Sequence, residues 1–345
     1  MIKYYTPFLL FFLAGISFFS YGIAAWAPLI FIFFIIPGLE LFIKPDPQNL
    51  DPKEEELAKN NKGFDFVIYA AAVGQFISLC LFFRQIQEPG IGTSDILARI
   101  ISMGLLCAIF GINLGHELGH RVNKFEQTLA KLLLLTSLYM QFFIDHNKGH
   151  HSHVGTPNDP SSAKLNQSIY AFYLQTFIGT YLSAWKISLK DCKKKGKKSF
   201  SIHNEMLQFQ FIQLAFLWLI YYLFGPAVMF YFMLSAFIGS ILLESINYIE
   251  HYGLSRIQKR EAIYERVQPW HSWNSNHQIG RLMLFELSRH SDHHYLASRK
   301  YQILRHIETA PQMPTGYPGM ILLALIPPLW FRIMNKKIKT LSQKL

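Results

Sequence analysis

ILARIISMGLLCAIFGINLGHELGH, residues 96–120, decides the fold. From Ile96 to Leu114 the stretch is almost wholly apolar, close to the ~20 residues that carry a helix across a bilayer. It then runs without a break into His116-Glu117-Leu118-Gly119-His120. If the helix continues, His116 and His120 lie on one face, four residues apart, where two imidazoles can share a metal. The segment therefore reads as a membrane span with a metal-binding end.

On its N-terminal side lie three further apolar runs, about 8–24, 28–42 and 64–83. The first, ending in Ala24-Ala25-Trp26-Ala27, has the outline of a signal peptide. A second apolar run starts at Pro28 with no polar linker, so the pair reads as an uncleaved hairpin. Residues 44–63 are polar and read as a loop, as do 85–95 with Pro89, Gly90 and Gly92. On the C-terminal side, 207–223 and 226–249 form another hairpin, broken at Gly225-Pro226, and 191–198 (DCKKKGKK) is a basic loop. Residues 318–334 contain Pro327-Pro328 and read as interfacial or buried. The expected architecture is an all-α integral membrane protein of about six transmembrane helices. It forms one membrane-embedded domain, 1–345, with catalytic segments at 116–206 and 250–345 on the cytoplasmic side.

Composition agrees. The chain is 51% hydrophobic and only 16% charged, against roughly 25% charged in soluble domains. Cys80, Cys107 and Cys192 are too scattered for a CxxC metal motif or a disulfide framework. The net charge of +11 is uneven. Residues 116–206 and 250–345 together hold 26 Lys and Arg against 12 Asp and Glu, an excess of +14, while the rest holds 7 against 10. Basic residues collect in cytoplasmic segments, which puts both stretches on one face. So apolar a chain excludes nucleic acid as the partner.

Fourteen histidines stand out, and nine fall in four motifs. These are HELGH (116–120), HNKGHH (146–151), NYIEHYG (247–253) and RHSDHH (289–294). One HExxH alone is the zinc-protease pattern, and it would leave the other three motifs without a purpose. A transporter would carry such sites near the bilayer midplane, whereas these sit at span ends. Nine imidazoles exceed the needs of one metal and suit two. Imidazole suits iron, copper, zinc and nickel, and O₂ chemistry on an inert C–H bond requires a redox metal. To share a site the motifs must lie on one face. The apolar run 128–144 therefore cannot cross the membrane, and is re-entrant, interfacial or cytoplasmic.

HELGH (116–120), DHNKGHH (145–151), TPNDPSSAKL (156–165), NYIEHYGL (247–254), HSWNSNH (271–277), RHSDHH (289–294) and PTGYPG (314–319) together resemble the membrane-bound non-haem di-iron alkane monooxygenase family. That family lies within the fatty acid desaturase and hydroxylase group. NYIEHYG is the discriminating element; Arg121 and Asp145 depart mildly from the family's usual Lys and Glu.

The resemblance implies two iron ions held by His116, His120, His146, His150, His151, His251, His290, His293 and His294. It also implies O₂ as co-substrate, an n-alkane as substrate, and electrons from rubredoxin, fed by a reductase and NAD(P)H. A desaturase or hydroxylase acting on fatty acyl, xylene-like or terpenoid substrates is the alternative. The implied location is the inner membrane, with the active site facing the cytoplasm. Glu117, Asp145, Glu250 and Asp292 each adjoin a ligand histidine and are candidates to orient the imidazoles from behind. His271, His277 and His153 are read as supporting groups, and His203 and His306 as surface residues. The chain carries neither a CxxC pair nor a GxGxxG fingerprint, so electrons must come from a separate protein.

Overall fold

The computed structural model describes residues 1–261 and 263–343. Among these residues the regular secondary structure is helical apart from one small antiparallel hairpin, Gln258–Arg260 against Ile263–Tyr264, and an isolated bridge between Asn274 and Gln312. Among the described residues, five helices are long and apolar enough to cross a membrane: Ile2–Phe19, Gly22–Glu40, Gly63–Gln85, Thr93–Gly119 and Glu205–His251. Two compact units gather from separated stretches. The first comprises Met1–Phe31, Asp65–Gly149 and Thr180–Leu243; the second comprises Ile32–Phe64, His150–Gly179 and Glu244–Leu345.

In the first unit the metal-motif helix is the central element. Its apolar window is 78% buried, against 33% for Ile2–Phe19, whose sides face outward as a lipid-facing helix requires. Small residues make this burial possible. A Cβ on Gly104 would fall 2.6 Å from Ile238, one on Gly115 would fall 3.1 Å from Leu134, and one on Gly111 would collide with the Ser137 hydroxyl. Close backbone approach at small residues is how helices associate where lipid removes any hydrophobic drive. Phe11 stacks on Phe110 with ring centroids 4.0 Å apart.

Two expected boundaries shift or are explained. The first turn falls at Ser20–Gly22, before Ala24, because Gly22 adopts φ 59° and its N–H donates to Asp95 Oδ1 at 2.8 Å. The Glu205–His251 helix is broken at Gly225 (φ 84°, ψ 174°), next to Pro226. The Phe216 and Phe232 rings lie 5.5 Å apart, whereas sixteen residues of straight helix would separate them by ~24 Å. The chain therefore reverses at Gly225, and this element is two antiparallel helices.

The run 128–144 is not one helix. Asn123 caps Lys124–Leu135 by accepting the Phe125 N–H, and that helix packs back against Leu114–Gly119. Twelve residues reach ~18 Å, short of a ~30 Å hydrocarbon core. A turn at Leu138 (φ 48°) then leads to Phe142–Ile144 and a π-helix, Asp145–His150.

Two stretches read as loops, 44–63 and 191–198, are in part helical. Residues 44–63 contain Pro52–Asn60, started by an Asp51/Glu54 capping box. Ile169–Lys194 is a 26-residue helix whose last turn takes in Asp191–Lys194, so the basic loop begins only at Lys195. Gln175, Thr176, Thr180 and Lys186 interrupt its apolar pattern, which hid it in the sequence.

The second unit is built around aromatic residues. Trp330 is fully buried, with its ring centroid 5.1 Å from Tyr248 and 5.2 Å from Tyr252. Trp273 donates its indole N–H to the Tyr252 carbonyl at 3.0 Å. Residues 318–334 fall in two helices, Tyr317–Ala324 and Pro327–Ser342. Trp330 and Met334 point inward, and Leu325, Ile326 and Leu329 are exposed.

Candidate metal centre

In the first unit the HELGH helix follows directly on a π-helix, Cys107–Asn113. Such segments recur where a helix must re-aim side chains at a functional site. The i,i+4 spacing brings the His116 and His120 rings to 4.8 Å between centroids, and the second π-helix places His146 4.4 Å from His116 and 5.2 Å from His120. Their ligand nitrogens lie within 4.8 Å of one another.

In the second unit His150, His251, His290 and His294 form a ring, all buried, with ligand nitrogens again within 4.8 Å of one another. Nε2 of His290 is 3.1 Å from Nε2 of His251, and Nε2 of His150 is 3.2 Å from Nε2 of His294. His151 and His293 bring their Nε2 atoms to 3.1 Å. Ligands at ~2.1 Å from one metal and at right angles lie ~3.0 Å apart. The converging Nε2 atoms match that spacing, so the donor set fits a metal.

The protonation state fits as well. Burial, followed by the neighbouring imidazoles, holds His294 well below the usual imidazole value, and burial pushes His151 down to about 3. Both are neutral at pH 7, the form in which imidazole ligates.

Groups behind the ring fix which nitrogen faces inward. His150 Nδ1 lies 2.9 Å from Asp159 Oδ2, His290 Nδ1 3.2 Å from Glu250 Oε1, and His251 Nδ1 3.4 Å from the His271 carbonyl oxygen. Burial would raise the Asp159 pKa, but His150 and the Ser162 hydroxyl, which donates at 2.6 Å, outweigh it and hold the carboxyl below its usual range. Asp159 is the functional residue the sequence reading missed; its only signal was its place in TPNDPSSAKL.

The four carboxylates expected behind the ligands have different partners. Glu250 faces His290. Glu117 pairs with Arg121 at 2.8 Å. Asp292 takes Arg299 at 3.2 Å and Arg305 at 3.0 Å. Asp145 is buried at the start of its π-helix.

HSWNSNH supplies Asn274, whose carbonyl accepts the Ser291 N–H at 2.8 Å and whose amide donates to Ser291 Oγ at 2.6 Å. That clamp orients the helix carrying His290, His293 and His294. His271 is buried against Glu265, and His277 beside Ser275. His153 and His203 are exposed, whereas His306 is half-buried with Asn276 Nδ2 3.0 Å from its Nδ1.

Comparison with known proteins supplies the family. The fatty acid desaturase family model matches residues 94–324. Alkane 1-monooxygenase 2 of Alcanivorax borkumensis is 41% identical over 318 residues, covering 91% of this chain and 83% of that protein. This chain belongs to the alkane 1-monooxygenase family.

Alkane 1-monooxygenase 1 of Pseudomonas aeruginosa is 39% identical over 91% of this chain and 83% of its own length. A more distant relative, the hydroxylase component of a xylene/toluene monooxygenase from Pseudomonas putida, is 31% identical over 75% of this chain and 68% of its own length. As a member of the alkane 1-monooxygenase family the chain is a multi-pass membrane monooxygenase, and its histidine clusters fit a two-metal centre.

Proposed function

We propose that the chain hydroxylates medium- to long-chain n-alkanes at a terminal methyl, giving primary alcohols, with its nine motif histidines holding two iron ions. The observation that carries this is the ring of four buried, converging Nε2 atoms in the second unit, with the His116/His120/His146 trio of the first as a separate cluster of the same kind. When bound, two irons would supply O₂ activation: alkane, O₂, two electrons and two protons give alcohol and water. The chain's own part is to hold neutral imidazoles in place and to fix their tautomers through Asp159, Glu250 and the His271 carbonyl. Its similarity to alkane 1-monooxygenases supports the alkane reading.

The 1–345 chain then acts as one catalytic domain. Six membrane passes place both termini and all nine histidines at the cytoplasmic face of the inner membrane, a reading supported by the +14 excess in 116–206 and 250–345. Rubredoxin is the proposed electron donor, drawn by opposite charge to that basic face. The test is to feed n-alkanes of graded length to cells expressing the chain and identify products by mass spectrometry. Primary alcohols are expected. Hydroxylated methylarenes with no alkane products, or unsaturated products, would replace this reading with that of a related hydroxylase or desaturase.

A further inference from the structure

PTGYPG (314–319) starts the Tyr317–Ala324 helix, with Gly316 as the N-terminal cap and Pro318 in the first turn, where its missing N–H costs nothing. The Glu40 carboxylate packs into the space beside Gly316 that a Cβ would take. Glu40 is itself fixed by the Gly280 N–H, which donates to Oε1 at 2.8 Å. This packing sets the position of Tyr317, which is 1% exposed.

The Tyr317 hydroxyl donates to Glu250 Oε1 at 2.6 Å. That same oxygen lies 3.2 Å from His290 Nδ1. On its other side, His290 presents Nε2 to the ring, 3.1 Å from His251 Nε2. Glu250 and His290 are 1% and 2% exposed, so no water competes for these bonds. The Glu250 backbone is also held, its carbonyl accepting the Trp273 N–H at 2.8 Å. A buried phenol, a carboxylate and an imidazole thus form one line, drawn from three motifs far apart in the chain.

We propose that Tyr317 is a positioning residue for the metal ligand His290, acting through the Glu250 carboxylate. With the phenol bonded to Oε1, the carboxylate cannot rotate away from His290. It keeps the proton on Nδ1 and the lone pair of Nε2 facing the ring. Without the hydroxyl, Glu250 is free to turn, and the oxygen beside His290 Nδ1 is no longer held in place.

The inference rests on the reading of the ring as a metal site, and the experiment separates the two. Purified full-length protein, its Tyr317→Phe variant and a control, Tyr301→Phe, are loaded with ⁵⁷Fe(II) and titrated with a chelator, and their Mössbauer spectra are recorded. Tyr301 is equally buried in the same unit, but its hydroxyl donates to the Phe64 carbonyl at 3.0 Å. Tyr317→Phe should hold one of its irons about 10–100-fold more weakly, the usual cost of losing an outer partner of a metal ligand. It should shift one iron's spectrum and leave the other's alone, while Tyr301→Phe matches the parent. Fluorotyrosine placed at 317 keeps the shape and strengthens the donor, so it should shift the same iron's spectrum even if the Phe variant folds poorly. Unchanged affinity and spectra in both substituted proteins would overturn the inference. Failure of the parent protein to take up metal would overturn the metal-site reading itself.

Discussion

Arg121 directly follows the HELGH motif, and its removal tests how that motif is anchored. Its guanidinium donates to Glu117 from Nη2 at 2.8 Å and from Nε at 3.2 Å, and from Nη1 to Asp65 at 2.9 Å and Glu126 at 3.3 Å. Tyr69 also donates to Glu126, at 2.9 Å. The four charged side chains are 8–19% exposed, so solvent screens them little. Burial disfavours the guanidinium charge, but Glu117, Asp65 and Glu126 outweigh it and raise its pKa.

Arg121→Met fills the space and leaves three carboxylates without their cation. Stranding the partners of a buried pair costs about 3–5 kcal/mol. Arg121→Lys keeps the charge but cannot form the two-pronged contact with Glu117. It forfeits about 1.5–3 kcal/mol, the scale of one hydrogen bond to a charged group. In detergent, the metal-free Met variant should therefore unfold at a clearly lower temperature than the Lys variant, and the Lys variant slightly below the parent. Because His116 and His120 lie within five residues of Arg121 on the same segment, the Met variant should also lose bound iron. Equal stability of the Met and Lys variants would refute the argument that the cluster needs its cation.

Four further outcomes are expected. Changing any of the nine motif histidines to Ala should remove bound metal and activity, while exposed His203→Ala retains both, as measured by metal analysis and product formation. Asp159→Asn, which keeps the shape but loses the charge beside His150, should weaken metal retention about 10–100-fold in chelator competition. Gly239→Ala would place a Cβ 2.7 Å from Cys107 Cβ and 3.2 Å from the Gly104 carbonyl. Overpacking of this kind costs about 1–3 kcal/mol and should lower the thermal midpoint with and without metal alike. If the basic face steers an acidic donor, turnover at limiting rubredoxin should fall between low and physiological salt, where screening reaches ~8 Å; a flat salt profile would remove that role.

Much of the fold was legible because its signals are local. Apolar runs near bilayer length, the Gly225-Pro226 break and the i,i+4 histidines of HELGH each act within a few residues, and the structure places helices, a reversal and paired rings at those positions. The Ile169–Lys194 helix was not legible, because polar residues on its apolar pattern gave neither a membrane nor a loop signature. Nor were the partners of the acids. Glu250, Asp292 and Glu117 all stand next to a motif histidine in sequence. The fold turns Glu250 toward His290, Asp292 toward Arg299 and Arg305, and Glu117 toward Arg121. Asp159, nine residues from His150, also stands beside a ligand, and adjacency gave no sign of it. Sequence by itself determined which residue types could bind metal and which segments could be helices, since both depend on side-chain chemistry and short-range geometry. Only the tertiary structure decided which imidazoles meet and which carboxylate stands behind each one. A side chain's partner is set by packing between segments more than a hundred residues apart, as between His150 and His294.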